Sequence, residues 1–175
     1  NMDDYPLKMH VFNRARLIKN SKNRIPYGVD LIQKYKRESW IVFTENKKQA
    51  KEFNKIINTK GFKSALYNTD LDSAERLENL NKFKKADLNV LVTCTALDEG
   101  FDMPEADGAL ILSASSSKRQ RVQRMGRVLR ITENKPNALI VTVYSSKTEF
   151  DKLMEEAKRY HKEGVPVSWK RQDKK

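Results

Sequence analysis

Three short runs in this sequence, Asn89 to Thr93, Ala109 to Ser113 and Ala138 to Tyr144, are hydrophobic through their middles instead of alternating with polar residues. A strand with one face in water alternates, whereas a strand covered on both faces reads as a continuous apolar run. The runs therefore predict strands inside a sheet that is covered by helices on both sides. The intervening segments supply those helices. Trp40 to Thr44 is a fourth strand, followed by a helical pattern in which Ala50, Phe53, Ile56 and Ile57 form an apolar stripe that Gly61 can terminate. Phe62 to Tyr67 gives another strand. Asp72 and Glu75, three apart, predict a capping box that opens a helix burying Ala74, Leu77 and Leu80 and ending near Lys85. After the last run comes an amphipathic helix carrying Phe150, Leu153, Met154 and Ala157. Repeated β-α units with short connections predict an α/β domain with a mostly parallel sheet and right-handed crossovers.

At 175 residues the chain can bury one sizeable core. Residues 1–39 are rich in Lys and Arg and fit only short helical stretches, around Ala15 to Ile18 and Val29 to Tyr35; they read as a linker plus a helix packed on the domain. The domain proper spans 40–165, and 166–175 reads as a frayed basic tail. The net charge of +12 favours a nucleic acid or another polyanion as partner. No apolar run approaches the roughly 20 residues that cross a bilayer, and the N-terminus lacks the apolar core of a signal peptide. The single cysteine, Cys94, forms no internal disulfide or cysteine-cluster zinc site, and no metal-ligand set is expected. A reducing cytoplasmic or nuclear setting, not a secreted one, is the expectation.

Charge is concentrated between Ser117 and Arg130, where six positive residues fall in fourteen with no acid among them. On a helix Gln123, Arg127 and Arg130 share one face, while Val122, Met125 and Leu129 share the opposite, core-facing one. Gly126 beside the basic face suits close approach by a ligand or another backbone. A solvated face would serve as well with lysine and glutamate. Arginine, whose planar fork matches phosphate oxygens, points to phosphate contact.

Gln123 to Arg130 resembles motif VI of the superfamily 2 helicases and translocases, Q/H-R-x-G-R-x-x-R, at every fixed position. Val90 to Pro104 resembles motif V and Trp40 to Lys47 resembles motif IV, in family order and at family spacing. The resemblance implies a RecA-like three-layer sandwich, the second of two such domains, with ATP in the cleft between them and nucleic acid across both. The sequence contains no G-x-x-x-x-G-K-[ST] loop and no acidic motif placed after a strand to hold magnesium. ATP and Mg2+ are thus expected to be held mainly by an N-terminal RecA-like domain outside this sequence, and this chain alone is expected to be inactive.

By resemblance, Arg127 and Arg130 are arginine fingers for the γ-phosphate, Gln123 contacts that phosphate or positions the attacking water, and Gly100 and Asp102 meet the nucleotide. Thr44, Asn46, Lys47, Thr93 and Thr95 match positions that touch the nucleic-acid backbone. Cys94 stands where many relatives carry threonine, and a thiol is a weak donor. Gln123 and the run Glu99 to Ala106 look closer to the DExH-type branch of restriction-enzyme motor subunits and DNA-repair helicases than to the DEAD-box RNA helicases, which makes DNA the expected track. Two alternatives stay open: a non-catalytic nucleic-acid-binding module of the same fold, and a dinucleotide-binding domain, against which stands the absence of a G-x-G-x-x-G turn.

Overall fold

The computed structural model describes residues 8–10, 24–94, 104–113 and 138–169. In chain order the elements are β1 (Lys8–His10), α1 (Arg24–Tyr35), β2 (Trp40–Phe43), α2 (Lys47–Thr59), β3 (Ser64–Leu66), α3 (Ser73–Lys84), β4 (Val90–Thr93), β5 (Gly108–Ile111), β6 (Leu139–Thr142), α4 (Lys147–Lys162) and β7 (Val167–Ser168). The strands form one seven-stranded sheet in the order β3-β4-β2-β5-β6-β1-β7, and every pairing is parallel.

Because successive strand residues point to opposite faces, the continuous runs divide cleanly between two cores. Trp40, Val42, Val90, Val92, Leu110, Leu139 and Val141 face α1 and α2, meeting Ile25, Val29, Ile32, Ala50, Phe53 and Ile57. Ile41, Phe43, Leu91, Ala109, Ile111 and Ile140 face α3 and α4, meeting Phe83 and Leu153. The result is the expected RecA-like three-layer sandwich. The α2 stripe is as expected, and Gly61, at φ +86°, takes the left-handed conformation that stops the helix. Gly108 is required for a different reason. It lies opposite Trp40 in register, and a Cβ there would stand 2.6–2.8 Å from three ring atoms of that fully buried indole.

Two segments expected outside the domain contribute strands to its sheet. Residues 8–10, read as linker, pair with β6 and β7, and residues 167–168, read as tail, pair with β1. Trp169 then packs edge-on against Phe150 and Tyr144, at ring-centre distances of 5.2 and 6.4 Å, and ties this end to α4. The helix expected around Val29 to Tyr35 is longer, starting at Arg24 with Pro26 in its first turn, where a missing N–H is harmless. The expectation for α3 needs correction. Asp72 caps it, its carboxylate accepting from the Glu75 N–H at 2.7 Å, but the buried side is Phe83 with half-buried Arg76, Asn79 and Leu80, while Ala74 is exposed and Leu77 is 57% exposed. The stripe is rotated because α3 lies over β3 and β4, at the edge of the sheet, where only its C-terminal half reaches the core.

Candidate functional site

Parallel pairing aligns the strand ends. Thr93, Phe43, Ile111 and Thr142 form one row across β4, β2, β5 and β6. The residues that follow them, 44–46, 94, 112–113 and 143–146, therefore leave from a single edge of the sheet. In parallel α/β sheets this carboxyl edge is where ligands bind, at the point where strand order reverses. Here the order reverses around β2, whose neighbours β4 and β5 come later in the chain on either side.

The loop between β2 and α2 is held by the end of β4, by α2 and by Ser113 after β5. Thr44 Oγ1 donates to the carbonyls of Thr93 and Asn46, both at 3.2 Å. The Glu45 N–H donates to Gln49 Oε1 at 2.7 Å, and Ser113 Oγ donates to Glu45 Oε2 at 2.5 Å. Asn46 Oδ1 caps α2 by accepting from the Gln49 N–H at 2.9 Å. The loop is thus rigid and ends on a helix N-terminus, whose partial positive charge favours anions.

Charge on this rim is carried by Lys47 and Lys51, which both reach Asp70 in the turn after β3, Lys47 through a direct hydrogen bond and Lys51 at 3.6 Å. The hydrogen bond from Lys47 and the charges of both lysines hold the Asp70 carboxyl below its ordinary pKa. All three side chains are exposed by 36–61%, so the cluster is screened and each ion pair is weak.

A second set of contacts lies behind the exits of β5 and β6. Arg24, 4% exposed at the start of α1, donates to the carbonyls of Leu112 at 3.0 Å and Val143 at 3.4 Å, to Ser145 Oγ at 2.6 Å and to Glu149 at 2.6 Å. Glu149 also accepts from the Ser145 N–H at 2.7 Å. Among the described residues no group of three or more His, Cys, Asp or Glu could hold a metal ion, and no helix is long and apolar enough to cross a membrane.

The expected site residues fall into three groups. Asn46 and Lys47 are exposed on the edge just described. Thr44 and Thr93 lie there too, but they are 1% and 2% exposed, and the Thr44 hydroxyl is turned inward to join β2 to β4. Gln123, Arg127, Arg130, Gly100, Asp102 and Thr95 lie outside the described residues. Sequence reasoning did not single out Asp70, Glu45, Ser113 or Arg24. Asp70 has a modest signal, an acid just after a strand opposite a lysine-rich helix start. Arg24 has none, since its partners are 88 to 125 residues away.

The fold and this edge define a class: the chain belongs to the helicase conserved C-terminal domain family, which matches residues 23–132. It is 36% identical over 129 residues to the DNA 3'-5' translocase XPB2 of Sulfurisphaera tokodaii, covering 74% of this chain and 28% of that protein. To UvrABC system protein B of Fusobacterium nucleatum it is 31% identical over 125 residues, covering 67% of this chain and 19% of that one. Among solved structures, the C-terminal domain of the DEAD-box protein Dbp5 superposes with a TM-score of 0.76 at 20% identity, covering 98% of this chain and 93% of that chain, a likeness of fold. The chain thus spans under a third of the length of these curated relatives. It is a superfamily 2 C-terminal RecA-like domain, homologous to ATP-dependent helicases and translocases.

Proposed function

We propose that this chain is the second motor domain of an ATP-driven helicase or translocase whose track is DNA, gripped through the sugar-phosphate backbone. The observation that carries the reading is the common edge: the capped start of α2 with Lys47 and Lys51 opens beside the departure points of the two segments that contain Gly100 and Asp102, and Gln123, Arg127 and Arg130. One edge then serves both ligands. DNA as track is favoured by the relation to a protein named as a DNA translocase, at 36% identity.

In this reading Lys47 exchanges Asp70 for a phosphate, an exchange made easy because the pair is exposed. The Asn46 amide and the first N–H groups of α2 add sequence-independent contacts. Thr44, whose hydroxyl donates to the Thr93 carbonyl, and buried Thr93 hold the loop in shape, and Thr95 is a further candidate contact to the track. Arg127 and Arg130 neutralise charge on the transferring phosphoryl group of Mg2+-bound ATP, which is seated mainly on the first RecA-like domain outside this sequence; Gln123 orients the phosphate or its water, and Gly100 and Asp102 meet the nucleotide. Phosphoryl transfer asks a protein chiefly for such positioning and charge neutralisation.

The test is binding by this chain alone. Supplying half the track, it should bind single-stranded DNA of any sequence with Kd in the non-specific range of roughly 10⁻⁴ to 10⁻⁶ M, weakening steeply with salt. Tight, sequence-selective binding would favour a dedicated binding module instead.

A further inference from the structure

The α1 stripe of Ile25, Val29 and Ile32 fills its core without help from a charge, yet α1 begins with a buried arginine. The acceptors of Arg24 come from the exits of two neighbouring strands and from the first turns of α4: Leu112 O, Val143 O, Ser145 Oγ and the Glu149 carboxylate. A planar guanidinium with five donors in a fixed fork can serve all four at once, whereas an ammonium with three donors on one atom cannot. Leu112 is further tied by its N–H to Phe43 O at 2.8 Å, and its neighbour Ser113 bonds Glu45 in the β2 loop. The guanidinium therefore stands where α1, β5, β6 and α4 meet, one residue removed from the proposed nucleic-acid loop. Four residues beyond Ser113 the chain enters the arginine-rich segment at Ser117.

We propose that Arg24 is a positioning residue for ATP hydrolysis: by fixing the exits of β5 and β6 against each other, it sets the point from which the segment bearing Arg127 and Arg130 departs. The proposal rests on the reading that Arg127 meets ATP. Arg24 is 4% exposed and its acceptors are all protein groups, so it acts through its neighbours. Its effect is geometric, and a misplacement near 1 Å of a group that acts on the transition state lowers rate by about 10²-fold.

The experiment is a double-mutant cycle in the whole protein that carries this chain, read as DNA-stimulated ATP turnover at saturating DNA. Arg24→Lys should lower kcat by about 10- to 100-fold with the KM for ATP unchanged. In an Arg127→Ala/Arg130→Ala background the same change should bring no further fall, because fingers that are absent cannot be misplaced. Should Arg24→Lys fail to fold, Ser145→Ala removes one acceptor, leaves the ion pair, and should show the same non-additivity with a smaller factor. Equal losses in both backgrounds, or normal kcat in Arg24→Lys or its substitute, would overturn the positioning role. Normal turnover in Arg127→Ala alone would instead overturn the functional reading beneath it.

Discussion

Gly108→Ala should destabilise the chain through a single contact. The added Cβ would lie 2.6, 2.7 and 2.8 Å from Trp40 Cε3, Cζ3 and Cδ2, against the roughly 3.5–4.0 Å at which carbon atoms rest. Trp40 is fully buried among Val42, Val90 and Leu110, so the ring must shift by close to 1 Å against packed neighbours. Overpacking of this kind costs about 1–3 kcal/mol. The φ of Gly108 is not positive, so alanine also narrows the unfolded ensemble and returns about 0.4–1 kcal/mol. The net expectation is a loss of about 1–2 kcal/mol, which for a domain of this size lowers Tm by roughly 2–8 °C. Urea unfolding with an unchanged m-value measures it. The same substitution in a Trp40→Leu background, where the methyl has room, should be neutral or stabilising, giving a coupling of about 1–3 kcal/mol. Equal cost in both backgrounds, or none in the native one, would refute the steric reasoning.

Other outcomes follow from the caps and the charged rim. Asp72→Ala should cost about 1 kcal/mol by leaving the Glu75 N–H without its acceptor, read by urea unfolding. Lys47→Ala should reduce the slope of log K against log salt for single-stranded DNA by most of one contact, about 0.7, whereas Lys175→Ala should change it less; equal effects would detach Lys47 from the track. Asp70→Asn should strengthen DNA binding at low salt by releasing Lys47 and Lys51, with the gain vanishing at high salt. Because the folded-state pKa of Asp70 is depressed, its contribution to stability is present above its unfolded pKa and is lost as pH falls through the folded one. Wild-type and Asp70→Asn stabilities should therefore converge in that acidic window, and a constant gap would show the pair to be inert.

The sheet was legible because burial on both faces writes itself as unbroken apolar runs, and the runs at Val90, Gly108 and Leu139 became central strands. The α2 stripe, Gly61 and the Asp72 cap were legible for the same reason: each signal is local and has one physical meaning. The strands at 8–10 and 167–168 are too short to show any period. In α3 the leucines at 77 and 80 suggested one register, and only tertiary placement at the sheet edge makes Phe83 the anchor. On the site, side-chain chemistry named Thr44, Asn46, Lys47 and Thr93, which the fold places at one edge, but not which of them face outward. The Thr44 hydroxyl spans two strands, a fact set by the β2 and β4 register. Arg24 could not be read at all, since its environment is assembled from residues that only the fold brings together.

The central proposal is that Gln123, Arg127 and Arg130 complete an ATP site built on a partner domain. Its most direct test is ATP turnover by the whole protein with saturating DNA, comparing the native sequence with Arg127→Ala and Arg130→Ala. An arginine finger contributes about 10³–10⁵ in rate, so each substitution should lower kcat by at least about 10²-fold while thermal stability and most DNA affinity persist. Normal turnover in both variants would contradict the account and leave a nucleic-acid-binding module of the same fold as the better reading.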